Sequence, residues 1–149
     1  MLWNDVCEIF EVDGSLRDII VSETSVSDWD RLISLLLLIG NVSYEIDGEN
    51  AELPTSAAPM LGDLEHSHCM KIDLGGPFAN THFITSDEIE LDIDPKEIGS
   101  QVDLDKVLEF CSKLSAELER DISITEESNP ATILLNYSFQ QRSWQLGNR

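Results

Sequence analysis

The sequence predicts an α+β domain, a mostly antiparallel sheet of hairpins and a meander with two helices packed on one face. Three observations predict it. Short alternating apolar and polar runs recur along the chain and are separated by Asp-Gly, Gly-Gly-Pro and Asn-Pro turn signals. Two segments, following Ser25 and around Asp103, instead carry apolar residues at spacings of three and four. The order of these elements, with short links and no regular strand-helix-strand alternation, suits antiparallel pairing.

The elements follow in chain order. Asp5 to Val12 reads as a strand, Asp13-Gly14 as a turn, and Leu16 to Ser22, with the β-branched run Ile19-Ile20-Val21, as the returning strand. A helix is expected next. Ser25 or Ser27 caps it, Asp28 and Asp30 sit in its first turn, and Gly40 ends it in a left-handed conformation. Trp29, Leu32, Ile33, Leu36 and Ile39 form its apolar stripe, which Leu35, Leu37 and Leu38 widen almost to the whole circumference, as for a central helix. Asn41 to Asp47 alternates again, turns at Asp47-Gly48 and pairs with Ala51 to Leu53.

Residues 54–64, with two prolines, a glycine and small side chains, are expected to form a flexible loop. Ser67 to Leu74, Phe78 to Thr85 and the acidic strand 88–94 then form a three-stranded meander. Asp103 caps a second helix, whose Leu104, Val107, Leu108, Cys111, Leu114 and Leu118 make one face, while Glu109 and Lys113 pair on the other. Strands Ile122 to Thr125 and Thr132 to Phe139 follow, then a tail, 140–149, polar apart from Trp144 and Leu146. A chain of 149 residues is the size of one domain, so 1–149 is read as a single acidic unit.

Composition narrows the function classes. There are 29 acidic residues against 9 basic ones, a net charge of -20, while 42% of residues are hydrophobic. The apolar content is that of a folded chain, and the charge excludes direct binding to nucleic acid or anionic lipid, which depends on Lys and Arg. It favours a basic protein partner, with encounter accelerated by the field. No secretory signal pattern or membrane-length apolar run occurs, and Cys7, Cys69 and Cys111 are an odd set without C-x-x-C spacing, so the expected location is cytoplasmic.

The charge has a focus in Asp87-Glu88-Ile89-Glu90-Leu91-Asp92-Ile93-Asp94, where alternation puts Ile89, Leu91 and Ile93 on one face and Glu88, Glu90, Asp92 and Asp94 on the other. Same-face neighbours on a strand are roughly 7 Å apart, close enough to repel unless something screens them. Glu117 and Glu119 at the end of the second helix, and Glu126 and Glu127 in the following loop, are expected to extend the negative surface. The two helix-terminal glutamates oppose the helix dipole, a local cost that a binding role would offset.

Catalytic patterns are lacking. There is no Gly-x-Ser-x-Gly elbow, Walker A loop or Gly-x-Gly-x-x-Gly. His66, His68 and His82 are the candidates for metal ligands, since His66 and His68 share a strand face while Cys69 points away, but local spacing supplies two ligands where zinc wants three or four. No cofactor is expected. The leading expectation is an acidic binding protein that neutralises a basic partner, in the manner of an immunity protein or inhibitor covering a secreted nuclease toxin. A second is a chaperone or adaptor using residues 54–64 and Trp144, and a third is a metal-dependent enzyme centred on the three histidines.

Overall fold

The structure is a computed structural model and describes residues 1–148; Arg149, the last residue of the polar tail, lies outside the described residues. It is of the α+β class, with one nine-stranded antiparallel sheet and four α-helices among the described residues. In chain order these are α1 (Trp3–Val6), β1 (Arg17–Ser22), α2 (Val26–Ile39), β2 (Val42–Ile46), β3 (Glu49–Ala51), α3 (Ala58–Leu61), β4 (His68–Asp73), β5 (Phe78–Thr81), β6 (Glu88–Ile93), α4 (Gln101–Leu118), β7 (Ile122–Glu126), β8 (Asn129–Ser138) and β9 (Ser143–Leu146). The sheet order is β3-β2-β4-β5-β6-β1-β7-β8-β9, so the meander β4-β5-β6 stands intact and β1 is inserted between β6 and β7. Because β1 is antiparallel to both neighbours, β6 and β7 run parallel, and α4 is the crossover between them.

The first expected hairpin does not form. Residues read as a strand are α1 followed by a 3-10 turn over Cys7–Phe10, and Val6, Ile9 and Phe10 are buried at a spacing of three and four. Buried Arg17 fixes this segment, donating to the carbonyls of Ile9 at 2.7 Å and Glu11 at 3.2 Å. A cation satisfied largely by backbone oxygens holds a helical segment against β1 where a pairing strand was expected.

Helix α2 starts as its sequence requires. Ser25 is the N-cap, with Asp28 returning a bond to the Ser25 N–H at 2.9 Å, and Gly40 closes it at φ 75°. Its apolar surface is narrower in effect than expected: Trp29, Leu32, Ile33 and Leu36 are buried, whereas Leu37, Leu38 and Ile39 in the last turn are exposed. Leu36 of the same turn is buried, so only one side of the turn is covered and the apolar run does not bury the whole circumference of the helix. In α4 the cap is Ser100, three residues before the expected Asp103; the Ser100 hydroxyl accepts from the Asp103 N–H at 3.3 Å, and the Asp103 carboxylate accepts from the Gly99 N–H. Asp103 thus serves the helix start from its third position. The two long helices touch each other and share one apolar cluster with Ile89, Leu91 and Ile93 of β6 and Ile19 and Val21 of β1.

Two segments expected to be irregular each carry a short regular element. Within 54–64, α3 buries Ala57 and Met60, and the Ala57 N–H donates to Asp30 at 2.8 Å. Within the polar tail, β9 pairs with β8, and Trp144 packs against Tyr137 with ring centroids 5.2 Å apart.

Candidate functional site: a carboxylate row on the polar sheet face

Strand β6 separates its two faces as its alternation dictates. Ile89, Leu91 and Ile93 are fully buried, and Glu88, Glu90 and Asp92 are half-buried on the opposite side. Asp94, just beyond the strand, shares a shallow depression with Asp92, Asn80, Phe78 and Lys71, and its carboxylate accepts from the Lys96 N–H at 3.0 Å. The four residues of the expected row are therefore brought together.

The pairing of β1 with β6 adds what the strand alone does not show. On the polar face Ser22 lies opposite Glu88, Ile20 opposite Glu90, and Asp18 directly opposite Asp92. Two aspartates facing each other across adjacent strands repel. Asp18 is 4% exposed. Burial pushes its carboxyl above the ordinary range, and the Asp92 and Glu127 charges push the same way, while a bond from the Ser128 N–H at 2.8 Å opposes them. Glu90 is also held high, by partial desolvation and then by Asp18, Glu88 and Asp92.

Cations do not balance this row. The ion pairs of the described residues are Arg17 with Asp13, His66 with Asp47, His68 with Asp63, Lys71 with Glu45, His82 with Asp92, Lys113 with Glu109, and Arg120 with Asp28. Only Asp92 of the row has a partner among them, the imidazole of His82 at 3.4 Å. Burial is offset at this histidine, whose pKa is pushed up to about 10, chiefly by Asp92 and then by the neighbouring Cys69 thiol.

The second group of expected contacts divides. Glu126 and Glu127 are exposed at the β7–β8 turn, and Glu127 adjoins the row electrostatically through Asp18. Glu119 borders a depression with Ile20, Ser22, Glu23 and Asp121 at the other end of β1. Glu117 is exposed on α4. Asp18 and Glu23 escaped the sequence reading, which places Asp121 with Glu117 and Glu119 in the negative surface. For Asp18 the alternation with Ile19 and Val21 was legible, as for the β6 residues, but its place opposite Asp92 comes from the pairing of β1 with β6.

The three histidines do not converge. His66 pairs with Asp47 at 2.7 Å in an exposed turn, while buried His68 donates or accepts between Asp63 at 2.7 Å and the Tyr44 hydroxyl. His82 lies on the polar face with Asp92. Among the described residues no group of three or more His, Cys, Asp or Glu side chains is placed to hold a metal ion. Of the residues named for an apolar contact, Met60 is buried and Trp144 is half-buried on Tyr137, whereas Leu64 is exposed. Among the described residues no helix is long and apolar enough to cross a membrane.

Comparison of the chain with protein-family models, with curated proteins and with solved structures gave no match. The functional reading therefore rests on the geometry of the molecule itself.

Proposed function

We propose that the protein is a cytoplasmic binding protein that docks the polar face of its sheet on a basic protein, and that its role is to occlude the phosphate-gripping surface of a nuclease-type toxin. The observation that carries this reading is the β6 row with Asp18: clustered carboxylates, mutually repelling, of which only Asp92 meets a cationic side chain of the chain's own. A basic surface would relieve that repulsion on binding, and the same field would steer the encounter. Nuclease surfaces suit such a face because they must be cationic where they hold nucleic acid. Glu88, Glu90, Asp92 and Asp94 are the central contacts, with Glu126, Glu127 and Glu119 at the margins and Glu117 the most remote.

The test is inhibition and association kinetics against a panel of basic nuclease domains. Inhibition of at least one is expected, with an association rate that falls steeply from low to physiological salt. The double variant Glu90→Lys, Asp92→Lys is expected to slow that association by about tenfold or more, whereas Glu65→Lys in the exposed loop before β4 leaves it nearly unchanged. Salt-independent binding, or equal effects of the two variants, would overturn the assignment of the face.

A further inference from the structure

The polar face carries a second constellation, built on three adjacent strands. Cys69 lies on the polar side of β4, opposite to the side on which buried His68 and Met70 sit. The β4–β5 ladder pairs Met70 with Thr81, so the next step sets Cys69 against His82. His82 in turn reaches the Asp92 carboxylate of β6 at 3.4 Å, with side chains 47% and 20% exposed. Thiol, imidazole and carboxylate therefore stand in sequence across β4, the end of β5 and β6, open to solvent.

We propose that Cys69, His82 and Asp92 form a reactive-thiol site that exchanges with small cationic disulfides. Exchange requires the thiolate, and the adjacent His82 ring, an imidazolium at neutral pH, steadies that anion once the thiol proton has left to solvent. Asp92 holds the ring and balances the charge of the imidazolium. In the step itself the Cys69 sulfur attacks one sulfur of the disulfide, a new S–S bond forms, and the old one breaks. The departing thiolate takes a proton from His82, so Cys69 is oxidised to a mixed disulfide and one reagent sulfur is reduced to a thiol. The surroundings set the preference for reagent charge. Glu45 lies opposite Cys69 on β2, Asp92, Glu90 and Glu88 follow on β6, Asp18 lies on β1, and Lys71, beside Cys69 on β4, is already paired with Glu45. An anionic disulfide meets this field unfavourably and a cationic one is drawn in.

The other two thiols provide internal references. Cys111 is wholly buried, with its pKa pushed up to about 12 by desolvation, and Cys7 is half-buried near the N-terminus without a histidine neighbour on the sheet. The full chain would be treated separately with cystamine, 2-hydroxyethyl disulfide and oxidised glutathione, which are cationic, neutral and anionic, and modification at each cysteine followed by peptide mass mapping. Cys69 is expected to react about tenfold faster with cystamine than with oxidised glutathione at low salt, with the ratio approaching unity in strong salt. With the neutral reagent Cys69 is expected to outpace Cys7 by about tenfold, and His82→Asn to abolish that lead while leaving Cys7 unchanged. Equal rates at Cys69 and Cys7 with the neutral reagent, or no preference for cystamine, would overturn the proposal. The wild-type comparison stands whether or not the His82 variant folds.

Discussion

The carboxylate of Asp28 and those of the β6 row are built on opposite rules. Asp28 is buried at the start of α2, yet it accepts from the Ser25 N–H at 2.9 Å and from the Arg120 guanidinium at 3.2 Å, tying α2 to the segment just past α4. Asp18, equally buried, faces Asp92 across the ladder, and Glu90 lies beside both. A scarce arginine therefore stands where a carboxylate supports the fold, and among the described residues none pairs with the row. Buried charge normally demands such partners. Their omission on one sheet face is the feature on which the proposed basic partner rests.

The largest effect expected from breaking this contrast is at the satisfied end. Asp28→Ala removes the reciprocal cap of α2 and leaves the Arg120 guanidinium, whose Nε is already buried without a partner, lacking its only carboxylate. The expected loss is about 2 kcal/mol or more in urea denaturation. A change within about 0.5 kcal/mol would place Asp28 among ordinary surface residues and weaken the comparison.

A pH titration of stability probes the one member of the row that has a partner. His82 has a raised pKa in the folded protein, so its contribution is fully present below 6.5 and is lost as pH climbs toward about 10. Stability is expected to decline over that window, and His82→Asn to flatten the decline. Parallel curves for the two proteins would mean that Asp92 gains nothing from the imidazole.

The contrast also explains what the sequence could and could not reveal. The row was legible because alternation within one strand is a local property, as were the Ser25 cap, the Gly40 stop and the i,i+4 pair of Glu109 and Lys113. Asp18 was not legible as a member, because its place beside Asp92 depends on β1 inserting between β6 and β7, a pairing between segments some seventy residues apart. The Cys69–His82–Asp92 alignment needs the meander's register for the same reason. The N-terminal misreading had a different origin. Val6, Ile9 and Phe10 carry a helical spacing, but four residues of α1 and a short 3-10 turn are too brief for periodicity to outweigh apolar content. The Leu35 to Ile39 run misled because apolarity on every side signals burial only if a neighbour exists on every side, and Leu36 is buried while Leu37 and Leu38 of the same turn are exposed.

The smallest expected effect is the most discriminating. Glu90→Gln preserves shape and removes one charge from the unpartnered end. A carboxylate with a raised folded pKa contributes favourably below its ordinary value of 4.5 and loses that contribution as pH rises through the folded value, so at neutral pH the charge opposes folding. The substitution is expected to stabilise by a few tenths of a kcal/mol, on the order of an opposed like-charge pair on a strand. The gain should shrink near pH 4, where wild-type Glu90 holds its proton, and in strong salt, where Asp18, Glu88 and Asp92 are screened from it (about 3 Å Debye length at 1 M). A loss of stability on neutralising Glu90 would mean that the row makes favourable contacts within the chain, and its availability to a partner would no longer follow.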